Sequence, residues 1–122
     1  MTEPLRLIVV DDDELQLELM ERALSREGFE VARATNGKAL ADEAKRMKPH
    51  IVLVDVNMPD EPADQIMAIA REAAPTARVF LYSAWELSRL RAIAAELGAD
   101  GFISKSESVA LIGTRIRELY AR

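Results

Sequence analysis

The amino-acid sequence predicts a doubly wound α/β domain, and three observations predict it. Short apolar runs alternate with amphipathic helical stretches five times along 122 residues. Each connection between successive runs is long enough for one helix, and right-handed crossovers then put helices on both faces of a parallel sheet. No two-residue turn such as Asn-Gly separates two strand runs, as an antiparallel hairpin would require. Asn36-Gly37 leads into a helical stretch instead.

Taken in order, "LRLIVV" (5–10) is a continuous apolar run of the kind found in strands covered on both faces. Leu15, Leu19, Met20, Ala23 and Leu24 follow at helical spacing, and Gly28 is placed to end that helix in a left-handed cap. In "FEVARA" (29–34), Phe29 and Val31 alternate with Glu30 and Ala32, a pattern suited to an edge strand. Asn36 is placed to cap a second helix carrying Leu40, Ala44 and Met47, with Pro49 just beyond. The third strand is "IVLV" (51–54). Ile66, Ile69, Ala70 and Ala73 mark a third helix stopped before Pro75. "RVFLY" (78–82) is the fourth strand, and Leu87, Leu90, Ile93 and Leu97 mark a helix ending near Gly98. "GFIS" (101–104) is the fifth, and Val109, Ile112, Ile116 and Leu119 mark the last helix.

At this length residues 1–122 are expected to form one domain, with a core large enough to need no staples. Cysteine is absent, which excludes a disulfide framework and a thiolate metal site. A formal charge of −5 argues against a nucleic-acid or anionic-membrane surface, since either needs a basic patch. No apolar run approaches the ~20 residues of a membrane span, and "MTEPLR" does not read as a signal peptide. The expectation is a cytoplasmic chain with no direct nucleic-acid binding and no membrane contact.

In open α/β sheets the site lies beyond the carboxyl ends of the strands, where the strand order reverses. Asp11, Asp12 and Asp13 follow the first run; Asp55 follows the third, Ser83 the fourth and Lys105 the fifth. In the order 2-1-3-4-5, the flavodoxin-like arrangement, strands one and three are neighbours at the reversal. Asp11, Asp12 and Asp55 then converge, flanked by Ser83 and Lys105. Adjoining carboxylates ~4 Å apart repel by ~4 kcal/mol at an effective dielectric of ~20. A hard divalent cation relieves that repulsion, and Mg2+ takes one or two carboxylates together with waters and phosphate oxygens. With no Cys, and with the single His out of reach, zinc chemistry is not expected. A carboxylate beside such a cation can accept a phosphoryl group as an aspartyl phosphate.

The pieces "LIVVDDDE", "IVLVDVNMP", "FLYSA" and "GADGFISK" stand in the order and at the spacing of the receiver domains of bacterial response regulators. Over its whole length the chain closely resembles that CheY-like family. The resemblance implies that Asp55 is the phosphoacceptor, charged by a sensor histidine kinase or a histidine phosphotransfer protein. It implies Mg2+ held by Asp12, Asp55 and the backbone carbonyl of Asn57, with Asp11 acting mainly through water. Ser83 takes the family's Thr/Ser position, whose hydroxyl bonds the phosphoryl oxygen, and Lys105 matches the lysine that pairs with the phosphoryl group. Phe102 stands at the aromatic switch position. The implied role is a phosphorylatable switch, not an enzyme, whose fourth helix, fifth strand and fifth helix address a downstream output protein or domain.

Three features depart from the family pattern. The usual Lys-Pro, often joined by a cis bond, is Lys105-Ser106 here; cis before a non-proline costs ~2.5–4 kcal/mol, so that bond is expected to be strained or trans. "EPA" (61–63) replaces the usual "MDG" and leaves the loop's shape open. Trp85 is unusually bulky and is expected to cover the site in part, slowing aspartyl-phosphate hydrolysis.

Plainer readings stand beside these. Asp13 and Glu14 read as a solvated helix start favoured by the helix dipole. Ser83 could be only a helix N-cap, Lys105 only a surface lysine, and Phe102 only core packing. His50 opens the third strand while Asp55 ends it, roughly 16 Å away, so it lies outside the site. Met58 and Met67 read as packing residues. The competing function is a pseudo-receiver, an interaction module that is not phosphorylated. A phosphatase using Asp55 as nucleophile is disfavoured because Asn57 stands where such enzymes carry a second acid. The chain ends one helix after the fifth strand, so it is expected to hold no output domain. "GFISKSES" looks similar to receivers attached to helix-turn-helix DNA-binding domains, which suggests a piece cut from a longer regulator.

Overall fold

The computed structural model describes residues 3–106 and 109–122, Val109 by its backbone alone. Strands and helices alternate in the expected order. They are β1 (Arg6–Val10), α1 (Glu14–Arg26), β2 (Glu30–Ala34), α2 (Gly37–Met47), β3 (Ile51–Asp55), α3 (Ala63–Ala73), β4 (Arg78–Ser83), α4 (Leu87–Leu97), β5 (Gly101–Ser104) and α5 (Val109–Tyr120). All pairings are parallel, and the sheet order is β2-β1-β3-β4-β5. This is the predicted doubly wound, flavodoxin-like arrangement.

Strand alternation sends successive side chains to opposite faces, and each face has its own helices. Ile8, Val10, Val52, Val54 and Leu81 pack with Leu40 and Ala44 of α2, Ile66 and Ala70 of α3, and Leu90 and Ala94 of α4. Leu7, Val9, Leu53, Phe80 and Tyr82 pack with Leu17, Met20 and Leu24 of α1 and Ile112, Ile116 and Leu119 of α5. Strands β1 and β3, central and covered on both sides, are therefore buried almost throughout, whereas edge strand β2 alternates. The predicted edge is where the alternation placed it.

The helix ends follow local chemistry. Asp13 caps α1, its Oδ1 accepting the N–H groups of Leu15 (3.0 Å) and Gln16 (3.2 Å). Past the other end of α1, Gly28 has φ +92°, and the Gly28 and Phe29 N–H groups reach the Ser25 and Leu24 carbonyls. That is a Schellman turn, which favours glycine because a Cβ is strained at positive φ. Asn36 caps α2 through Ala39 N–H at 2.8 Å.

The helix stripes need correction. On α1 the core side carries Leu17, Met20 and Leu24, while Leu15 and Leu19 are 65 % and 46 % exposed. Leu15 lies about 200° around the helix from Leu17, so the two cannot face the sheet together. On α4, Leu87 is exposed and Ala94 buried. Leucine-rich runs offer more than one stripe, and the sheet selects among them. In α5, Ile112, Ile116 and Leu119 are buried as expected, and the Val109 side chain lies outside the described residues. Glu107 and Ser108 of "GFISKSES" also lie outside them. Among the described residues no helix is long and apolar enough to cross a membrane.

Candidate functional site

The site is built at the carboxyl ends of the strands. The Asp11 N–H still pairs with the Ala34 carbonyl at 3.0 Å, so the chain leaves the sheet with Asp11 buried and Asp12 exposed. Asp55 and Ser83 are the last residues of β3 and β4, and both are buried. The Lys105 N–H donates to the Ser83 carbonyl at 2.8 Å, which fixes the start of the loop after β5.

Carboxylate oxygens from Asp11, Asp12 and Asp55 lie within 4.8 Å of one another. Lys105 Nζ stands 3.3 Å from Asp55 Oδ2 and 3.5 Å from Asp11 Oδ2. Asp55 Oδ1 accepts the Asn57 N–H at 3.0 Å, and Asp11 Oδ1 accepts the Asp13 N–H at 3.0 Å. Burial pushes the Asp55 carboxyl above its usual range, opposed by the Asn57 N–H and the Lys105 ammonium, while the Asp11 charge pushes it up further. One ammonium does not neutralise three carboxylates. The donors are all hard oxygens, which suits Mg2+ or another hard divalent cation and not a thiophilic one.

Two further predicted residues, Ser83 and Phe102, have contacts of their own. Ser83 Oγ accepts the Trp85 N–H at 3.1 Å. Ser83 does not cap α4, which begins behind Glu86 with no side-chain cap. Phe102 is half-buried on the α2–α3–α4 side of the sheet, with the Arg91 guanidinium 5.8 Å from its ring centre. His50 is far from the cluster in its contacts: its Nδ1 accepts the Arg6 N–H at 2.9 Å at the opposite ends of the strands.

The departures from the family pattern resolve individually. The Lys105–Ser106 bond is trans, as are all peptide bonds of the described residues. Ser104 Oγ accepts the Ser106 N–H at 3.1 Å and lies 2.6 Å from Ser106 Oγ, so a serine turn shapes the loop where the family has proline. In "EPA", Glu61 receives the Gly37 N–H on both carboxylate oxygens, at 2.9 and 3.1 Å, tying the loop to the start of α2. Trp85 has its contacts on the α3–α4 side. Its ring lies under the Arg89 guanidinium at 3.6 Å and lines a groove of about 420 Å3 with Val56, Ala63, Ile93 and Leu97. None of the three clustered carboxylates lines that groove.

Sequence reasoning missed Tyr82. It is 1 % exposed, and its hydroxyl donates to Asp11 Oδ2 at 2.6 Å. Burial, then the hydrogen bond to Asp11, push its pKa far above the ordinary phenol value, so it remains a donor. The available signal was a phenol inside an apolar strand, one residue before the strand end, because a buried Tyr hydroxyl needs a partner.

A family model described as the response regulator receiver domain matches residues 7–117. The chain belongs to that family. Among relatives of this receiver, the transcriptional regulatory protein PrrA of Mycobacterium tuberculosis is 32 % identical over 117 residues, covering 96 % of the chain and 50 % of PrrA. The chemotaxis protein CheY of Thermotoga maritima is 30 % identical over 101 residues, covering 82 % of this chain and 84 % of CheY. The receiver spans between 35 % and 51 % of the first three curated relatives it matches. Among solved structures, the signal receiver domain of the putative response regulator NarL from Mycobacterium tuberculosis aligns with a TM-score of 0.81 and 30 % identity over 98 % of each chain.

Proposed function

We propose that this receiver takes a phosphoryl group on Asp55 in a Mg2+-dependent reaction and uses it as a switch. The donor would be the phosphohistidine of a sensor histidine kinase or of a histidine phosphotransfer protein. One observation carries the reading: Lys105 Nζ sits between Asp55 and Asp11, 3.3 and 3.5 Å from their oxygens, at the mouth of a three-carboxylate cluster. The cation would rest on Asp12, Asp55 and the Asn57 carbonyl, with Asp11 reached through water. When bound, Mg2+ would offset the carboxylate charge and hold oxygens of the incoming phosphoryl group.

The chain's own residues supply the rest. The Asn57 N–H fixes one Asp55 oxygen, and Lys105 marks the side on which negative charge is tolerated. An Asp55 oxygen forms the bond to phosphorus as the phosphorus–nitrogen bond of the donor breaks, and the imidazole leaves with the electron pair. Lys105 then follows the phosphoryl oxygens. Ser83 Oγ, now an acceptor from Trp85, keeps its own proton to donate to the phosphoryl group. Phe102, next to Leu81 in the sheet register, would fill the space Ser83 vacates and carry the change to the α4–β5–α5 surface. That surface would address an output protein or domain. The phosphoryl group moves the equilibrium only as far as it binds one state better. The chain acts as a phosphoacceptor, with at most slow self-dephosphorylation.

Intact mass spectrometry with Mg2+ and acetyl phosphate tests this. Wild type should gain one phosphoryl group, Asp55→Asn none, and excess EDTA should suppress uptake. Uptake that survives Asp55→Asn contradicts the assignment of Asp55. A wild type that takes up nothing would be an unphosphorylated interaction module.

A further inference from the structure

We propose that Tyr82 is a positioning residue for the cation site, its hydroxyl holding the Asp11 carboxylate in the orientation that joins the cluster. The inference rests on the reading of Asp11, Asp12 and Asp55 as a Mg2+ cradle and adds a residue to it. Strand register puts Tyr82 beside Asp55 on β3 and Ile103 on β5. Its side chain points to the α1–α5 side, the side on which Lys105 and Asp11 meet it. Ser83, the next residue, belongs to the other face by alternation.

Asp11 is 1 % exposed, so its charge has little water and must be satisfied by protein. One oxygen has the Asp13 N–H at 3.0 Å. The other has the Tyr82 hydroxyl at 2.6 Å and Lys105 Nζ only at 3.5 Å. The phenol therefore makes the shortest contact to that carboxylate, in the range of charge-assisted O–H···O bonds. With both oxygens tethered, the carboxylate cannot rotate freely, and the direction it faces beside Asp12 and Asp55 is set in advance. The Tyr82 ring also lies 4.6 Å from Lys105 Nζ, so its face supports the ammonium. Remove the hydroxyl alone, and among the described residues Lys105 becomes the only side-chain donor left on Asp11 Oδ2. It is then drawn toward Asp11 and away from Asp55.

Tyr82→Phe tests the hydroxyl while keeping the ring. Isothermal titration calorimetry with Mg2+ should give a Kd about tenfold weaker than wild type, the low end of the losses seen when outer-shell partners are removed, because Asp11 meets the cation through water. A packing role alone would leave the Asp13 amide unmoved. In 15N–1H spectra of the metal-free protein, that amide should shift as its bond to Asp11 Oδ1 loosens, while the Asn57 amide, bonded to Asp55, holds its place. A Kd within twofold of wild type overturns the proposal, and so does an unmoved Asp13 amide whatever the Kd. Wild type that binds no Mg2+ would instead count against the cradle itself, and the tie between Tyr82 and Asp11 is then decided by the Asp13 amide.

Discussion

At the scale of single residues, the strand ends set a chemical problem that burial makes acute. Asp55 is only 4 % exposed, and loss of hydration raises its pKa against the pull of Asn57 N–H and Lys105. Below about pH 3.9 both the folded and the unfolded chain hold this proton, and Asp55 costs nothing. Above that, the unfolded chain releases its proton while the folded chain keeps it, so stability falls as pH rises through the folded pKa. Asp55→Asn in EDTA should therefore match wild type near pH 3.5 and exceed it increasingly as pH rises above that, with the gap levelling off once the folded chain has also released its proton, read as urea midpoints across the series. A gap independent of pH would assign the difference to packing. Asp11 faces the same desolvation but has a phenol to meet it, which is why Tyr82 belongs to the site. Both acids were legible as strand-end residues. The phenol was not, because a single sequence shows that Tyr82 needs a partner without saying which one.

At the scale of elements, three local signals were read correctly because their partners are local. Asp13, Asn36 and Gly28 act within four residues of their positions, and all three do what their residue types imply. Glu61 behaves differently. Its partner, the Gly37 N–H, is 24 residues away, so "EPA" could be seen only as a departure. In the fold that carboxylate joins the β3–α3 loop to the positive end of the α2 dipole. Glu61→Ala should cost about 1 kcal/mol, as loss of a helix cap does. Faster hydrogen exchange confined to the first turn of α2 and the adjoining loop would locate the effect. Unchanged exchange there would mean that the contact carries no stability.

At the scale of the whole molecule, a sheet covered on both faces fixes which residues matter for stability. Leu53 on central β3 is fully buried between β1, β4 and the α1–α5 layer. Leu53→Ala should cost about 2–5 kcal/mol in transfer and cavity terms. That is a large part of the ~5–15 kcal/mol typical of a domain. Leu15→Ala, at a position 65 % exposed, should stay within about 0.5 kcal/mol. Urea unfolding of the pair checks the corrected face of α1: comparable losses would mean that Leu15 belongs to the core after all.

The sequence by itself determined the order of strands and helices, the edge position of β2 and the identity of the residues at the strand ends. Those follow from apolar runs, from alternation and from adjacency along the chain. Tertiary structure alone decided which stripe of α1 faces the sheet, that Tyr82 reaches Asp11 across 71 residues, and that Trp85 lines the α3–α4 groove. Each of these depends on side chains meeting across strands or layers. A helix with two apolar stripes, or a ring with two possible directions, has no internal reason to choose until its neighbours are in place.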